Sequence, residues 1–144
     1  MNFDLDERQL LQRGNTLKHG LITMSFLVLL DAFLKDNGIF IVEGVWSSIL
    51  IVVLVSVLCI HENILRDVLN IEEKFSNLWV LFFGIGGVIL LIWSIIDIAS
   101  GFVSVMIDGQ LTREGVSLVM AICWSSLLFT YFYKKTELKK IDEK

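Results

Sequence analysis

The stretch from Phe75 to Ile96 constrains this chain more than any other, because it holds 22 consecutive residues without a formal charge. A helix rises about 1.5 Å per residue, so about 20 apolar residues cross the ~30 Å hydrocarbon core of a bilayer. Trp79 and Trp93 lie near the ends of the run, and tryptophan is enriched at membrane–water interfaces. The run therefore predicts a membrane-spanning helix.

Composition indicates that the rest of the chain follows the same pattern. Of the 144 residues, 55% are hydrophobic, whereas a soluble domain of this size has about 45–50% apolar residues. The predicted spans cover about residues 18–34, 44–60, 78–100 and 115–133. We therefore predict an all-α integral membrane protein, in which residues 1–144 form a single domain of four transmembrane helices arranged as two hairpins.

Three charged segments flank these spans. Residues 1–16 predict an amphipathic lead-in at the membrane interface, with a break at Gly14 and Asn15. Residues 61–77 form a charged connection with apolar residues at helical spacing, and residues 134–144 form a charged tail.

The distribution of basic residues predicts the orientation. Ten of the 12 Lys and Arg residues lie in the N-terminal segment, the 61–77 connection and the tail, whereas Lys35 and Arg113 lie in the two other loops. Positively charged loops stay in the cytosol. We therefore predict a multi-pass protein of the cell (plasma) membrane with cytosolic N- and C-termini.

The two hairpins resemble each other in sequence. Asp31 and Asp97 each lie near the outer end of the first helix of a hairpin, and Glu43 and Glu114 each open a Glu-Gly-Val at the start of the second. A parallel internal repeat and a chance similarity between two apolar hairpins both fit these matches.

Four acids are candidate functional carboxylates. Asp31 and Asp97 are the only acids within the spans, and intramembrane acids are the default place to look for function. In a symmetric bundle they can face each other near the outer surface and handle a proton or a cation; alternatively, each is the hydrated end of a helix. Glu43 and Glu114 precede helices, and for Glu43 the helix dipole is a sufficient structural reason.

Small residues predict close helix packing. Gly84 and Gly87 lie in the middle of the third span, where a phosphate-binding loop is excluded. Ser117, Ala121 and Ser125 recur every four residues along the fourth span. Small residues at such spacing let two helix backbones approach closely.

The remaining polar residues argue against an enzyme, a metal site and a cofactor. His19 and His61 lie at cytosolic helix ends, and a zinc motif would need a second histidine where Leu65 stands. Cys59 and Cys123 match no metal or redox spacing and are interpreted as packing residues. No polybasic arm is present, so we expect no nucleic-acid partner.

The N-terminal motif Asp6-Glu7-Arg8-Gln9, followed by Arg13, Gly14 and an apolar hairpin, resembles a loose group of small uncharacterised four-span membrane proteins of Gram-positive bacteria. The resemblance implies the fold and no assigned activity. Small multidrug exporters are similar in size, but they carry a glutamate in the middle of the first helix. Here the first helix has only Asp31, near its outer end.

Two functional hypotheses follow. The first is a non-enzymatic accessory, regulatory or immunity-type protein that acts through membrane-protein partners or as a homo-oligomer in the lipid bilayer. Its contact surfaces would be the Asp6–Gln9 motif, the 61–77 connection and the face of Ser117, Ala121 and Ser125. The alternative is a small ion- or proton-coupled transporter or channel that uses Asp31 and Asp97.

Overall fold

Four long helices make up most of the part of the chain that the computed structural model describes, which comprises residues 7–42, 44–66, 68–69 and 74–142. Helix α1 spans Glu7–Asp36, α2 Trp46–Leu65, α3 Lys74–Ala99 and α4 Arg113–Asp142. Two short strands, β1 (Met106–Ile107) and β2 (Gln110–Leu111), lie between α3 and α4. Each helix contains a window long and apolar enough to cross a membrane. The predicted all-α, four-span membrane fold is confirmed.

Helix α1 runs without interruption through Gly14 and Asn15, where the sequence predicted a break. A single glycine inside a helix costs only about 1 kcal/mol, and α1 is anchored just beyond it by the buried residues Thr16 and Gly20. The 30 residues of α1 extend about 45 Å. Residues 7–16 are therefore continuous with the rest of α1, and the predicted break at Gly14 and Asn15 is wrong.

The helices pack in an order that differs from their order along the chain. Helix α1 packs on α2, α2 packs on α4, and α4 packs on α3. The core lies where α2, α3 and α4 meet, and its buried members are Val57, Ile64, Val80, Leu127 and Tyr131. Helices α1 and α3 consequently occupy the two edges of the bundle.

Glycine sets the distance between α3 and α4. A Cβ atom added to Gly87 would lie 2.5 Å from the backbone nitrogen of Ser125, and one added to Gly84 would lie 2.6 Å from Cγ of Leu128. Real Cβ atoms do not approach other atoms so closely, so a larger residue at Gly87 would push the backbones of the two helices apart, and one at Gly84 would displace the side chain of Leu128.

The loops of the two hairpins meet at one end of the bundle. Strands β1 and β2 form a tight hairpin with positive φ angles at Asp108 and Gly109, as a type I′ turn requires. The backbone N–H of Leu111 donates to the carbonyl oxygen of Ile41 (2.8 Å), and Val42 forms a parallel bridge with Leu111. We call residues 38–42, 44–45 and 100–112 the distal cap; the described ends of the chain lie at the opposite, proximal end.

Candidate functional site

Asp31 belongs to a polar cluster between α1 and α2 at the distal end. Lys35 Nζ donates to Asp31 Oδ2 (2.8 Å) and to Ser47 Oγ (2.5 Å), and Ser47 Oγ lies 3.1 Å from Asp31 Oδ2. Ser47 is buried, while Asp31 and Lys35 are partly exposed. The cluster neutralises the carboxylate and joins the end of α1 to the start of α2.

Asp97 has different surroundings on α3. Its side chain is partly buried and has no hydrogen-bond or ion-pair partner among the described residues; Ser100 Oγ donates to its backbone carbonyl (2.8 Å). A facing pair with Asp31 requires α1 and α3 to pack together, and these helices share no extensive interface in the described part of the chain. The structure therefore places the two carboxylates in separate environments.

The two remaining candidate acids belong to the starts of α2 and α4. Glu43 lies outside the described residues. Glu114 is exposed in the first turn of α4, where the helix dipole favours a negative charge. Beside it, the guanidinium of Arg113 lies over the ring of Trp46, 5.2 Å from the centroid, so the starts of α2 and α4 contact each other.

The N-terminal motif lies at the free end of α1. Asp6 is outside the described residues, Glu7 and Arg8 are exposed, and Gln9 is partly buried. Glu7 and Arg8 therefore lie on the surface, before the first buried residue of α1, Thr16.

The small-residue face of α4 is largely used within the chain. Ala121 is fully buried and Ser125 is nearly so, and Ser125 lies where Gly87 makes its close approach. Ser117 is partly buried. Ala121 and Ser125 are therefore not accessible to another protein, which removes this face from the expected partner contacts.

His61 forms a second polar cluster, which joins α2 to α4 near the proximal end. Its Nδ1 lies 2.6 Å from Thr130 Oγ1 and its Nε2 lies 2.9 Å from Ser126 Oγ. Because Ser126 Oγ donates its one hydrogen to the carbonyl of Cys123 (2.6 Å), it accepts from His61, which places the ring hydrogen on Nε2. Thr130 then donates to Nδ1, and both ring nitrogens are satisfied.

A third cluster joins α1 to α2 at the same end. Glu62 Oε1 lies 2.7 Å from Arg66 Nη2 and 3.5 Å from His19 Nδ1. His19, Glu62 and Arg66 are all partly or fully exposed. The described residues contain no group of three His, Cys, Asp or Glu side chains that could hold a metal ion. The contact between His19 and Glu62 holds α1 to α2 at the proximal end.

Several residues of these clusters were not predicted from the sequence. Ser47 is 16 positions from Asp31, and no local pattern connects the two. Ser126 and Thr130 are four residues apart in the mainly apolar fourth span, a spacing that places both on one helix face. That spacing is a signal from which a polar contact on α4 could have been predicted.

No protein-family model matches this chain, and no curated protein or solved structure is significantly similar to it. The fold itself defines the class: an all-α bundle of four helices, each able to cross a membrane. The chain is accordingly an integral membrane protein. Three small polar clusters connect its helices, two between α1 and α2 and one between α2 and α4.

Proposed function

We propose that this protein is a non-enzymatic accessory or regulatory protein, of the immunity type or a related kind, that acts by binding other proteins of the plasma membrane. The observation that carries the proposal is the proximal end of α1. Leu10 and Leu11 lie there with 54% and 70% of their surface exposed. These leucines adjoin the Glu7-Arg8-Gln9 part of the N-terminal motif.

The length of α1, together with the predicted first span at residues 18–34, supports a position of these leucines outside the hydrocarbon. The helix is about 15 Å longer than the ~30 Å hydrocarbon core, a difference of about ten residues. Residues 7–15 are continuous with the spanning helix, and in our proposal they extend from the membrane surface into the aqueous phase. We expect a protein partner to bury leucines in this position.

The low intrinsic stability of residues 7–15, which we call the extension of α1, supports the same proposal. Short helical segments are marginal in water without tertiary packing, and Gly14 lowers the helix propensity further. No described residue before Thr16 is fully buried. Binding to another protein would bury more of this part of α1.

The basic residues of the extension favour a partner on the cytosolic side. Arg8, Arg13 and Lys18 belong to the ten Lys and Arg residues outside the two distal loops, and the positive-inside rule assigns such segments to the cytosol. The proposed contact is therefore a cytosolic surface at the membrane.

The transport alternative has weaker support. It depends on Asp31 and Asp97 acting together, but Lys35 and Ser47 already bind Asp31, and Asp97 belongs to the opposite edge of the bundle. A carboxylate bound to a lysine ammonium group is a poor site for a further cation. We therefore favour the accessory role.

Site-specific photo-crosslinking in intact cells tests the accessory role. A photoreactive residue in place of Leu11 is expected to form an adduct of one discrete size, because Leu11 would lie in the interface. The added change Leu10→Glu is expected to abolish the adduct by placing a charge in the same apolar contact.

The matched control places the photoreactive residue at Thr136, which is exposed on the proximal part of α4. No discrete adduct is expected there. If position 11 forms no adduct, or one that Leu10→Glu leaves unchanged, α1 does not bind a partner through these leucines.

A further inference from the structure

The distal cap exposes large apolar side chains that no other described residue covers. They are Ile39, Phe40, Ile41, Val45, Phe102, Met106 and Ile107. Phe102 is 88% exposed, which is extreme for a phenylalanine. Contiguous apolar exposure of this kind marks a surface that binds a protein or a membrane.

Two observations favour lipid over a protein partner. Met106 and Ile107 are successive residues of β1, so their side chains point to opposite faces of the ribbon, and both are exposed. A docked protein covers one face of a ribbon, whereas a surrounding medium reaches both. The exposed cap is also continuous with the apolar helices, because Val45 directly precedes α2 and Phe102 follows α3 by three residues.

Polar groups in and beside the cap limit how deeply it can lie in a membrane. Asp36 and Asp108 are exposed, and backbone groups at the ribbon's free edge need hydrogen-bond partners. The hydrocarbon core supplies none, whereas the headgroup region contains water and phosphate. The Trp46–Arg113 pair at the base of the cap belongs to residue types that are characteristic of this level of a membrane.

We propose that the distal cap is immersed in the headgroup region of the leaflet opposite the termini, so that the partner of this face is phospholipid. The apolar side chains of Phe102, Met106 and Ile107 reach the boundary with the acyl chains, and the turn at Asp108 and Gly109 stays hydrated. This face is then closed to soluble ligands. The proposal is independent of the accessory role, which concerns the proximal end.

Nitroxide labels measure the depth of the cap directly. Cys59→Ala and Cys123→Ala remove the native thiols, and single changes Phe102→Cys and Ile107→Cys carry the label in vesicles of phosphatidylethanolamine and phosphatidylglycerol. We expect collisions with apolar oxygen to exceed collisions with a water-soluble nickel chelate at both positions, at a depth within about 10 Å of the phosphate groups.

Two control positions calibrate the measurement. Ile89→Cys, on the exposed apolar face of α3, is expected to show the highest ratio of oxygen to nickel collisions, and Thr136→Cys, at the proximal end, the lowest. Phe102 and Ile107 are expected between them. The four labelled positions are exposed, so we expect the bundle to tolerate the labels.

Each other result overturns the proposal. A ratio at Phe102 and Ile107 equal to that at Thr136 would place the cap in water. Low collision rates with both reagents would show that protein covers the cap, and a label–label dipolar interaction would identify that protein as a second copy of this chain.

Discussion

At Gly87, the absence of a side chain allows the backbones of α3 and α4 to meet. Gly86, its neighbour, has nothing within 4 Å of where its Cβ would lie. Two adjacent glycines of one helix therefore have opposite roles, one at a helix interface and one in open space. The pair offers a controlled test of how α3 and α4 are held together.

Gly87→Ala is expected to lower the free energy of unfolding by about 1–3 kcal/mol, the usual range for overpacking, because the new methyl group would lie against the backbone of Trp124 and Ser125. Gly86→Ala is expected to cause no loss. Both can be measured by unfolding in mixed micelles of increasing sodium dodecyl sulfate. Equal effects of the two substitutions would contradict the close approach at Gly87.

Prediction of single residues depends on whether the signal is local. Gly84 and Gly87 were selected as glycines in the middle of a span and Ser125 by its spacing along the fourth span, and all three lie at the α3–α4 contact. The partners of His61 are 65 and 69 residues away, and they become neighbours only because α2 packs on α4. No rule of spacing within one helix predicts a contact that depends on the order of the helices.

The helices themselves were predicted well in number and less well in length. Hydropathy marked residues 18–34 as the first span, while α1 begins at Glu7 and ends at Asp36. The difference has a physical cause: hydropathy identifies the residues that match hydrocarbon, whereas helical hydrogen bonding continues into water until a cap or a break ends it. The same reason extends α4 beyond the predicted residue 133 to Asp142.

The start of α4 shows such a cap. Thr112 Oγ1 accepts from the backbone N–H of Gly115 (3.1 Å), and its hydroxyl lies 2.7 Å from the carbonyl oxygen of Ser104, to which it donates. The side chain of Thr112 therefore binds both the distal cap and the first turn of α4.

Thr112→Ala is expected to destabilise the protein by about 1 kcal/mol, as loss of an N-cap usually does. The control is Thr136→Ala, because the exposed hydroxyl of Thr136 donates to the carbonyl of Phe132 in its own helix, a contact with little effect on stability. The same detergent titration measures both. A loss at Thr136 as large as that at Thr112 would show that capping is not the cause.

The whole molecule has both described chain ends at one end of the bundle and both hairpin loops at the other. The charge distribution predicts that the end carrying the termini faces the cytosol. With Cys59→Ala and Cys123→Ala as background, Asn37→Cys is expected to react with a membrane-impermeant maleimide in intact cells. Lys139→Cys is expected to react only after permeabilisation, and the reverse pattern would invert the topology.

The position of α4 between α2 and α3 affects how the protein is made. Of the four helices, α4 is the last along the chain, yet it supplies Leu127 and Tyr131 to the core and the packing surface for α3. Until it is inserted, α3 lacks its main neighbour and α2 lacks one of its two neighbours. Chains that stop before α4 should therefore reach the membrane and be degraded there, which makes complete synthesis a condition for assembly.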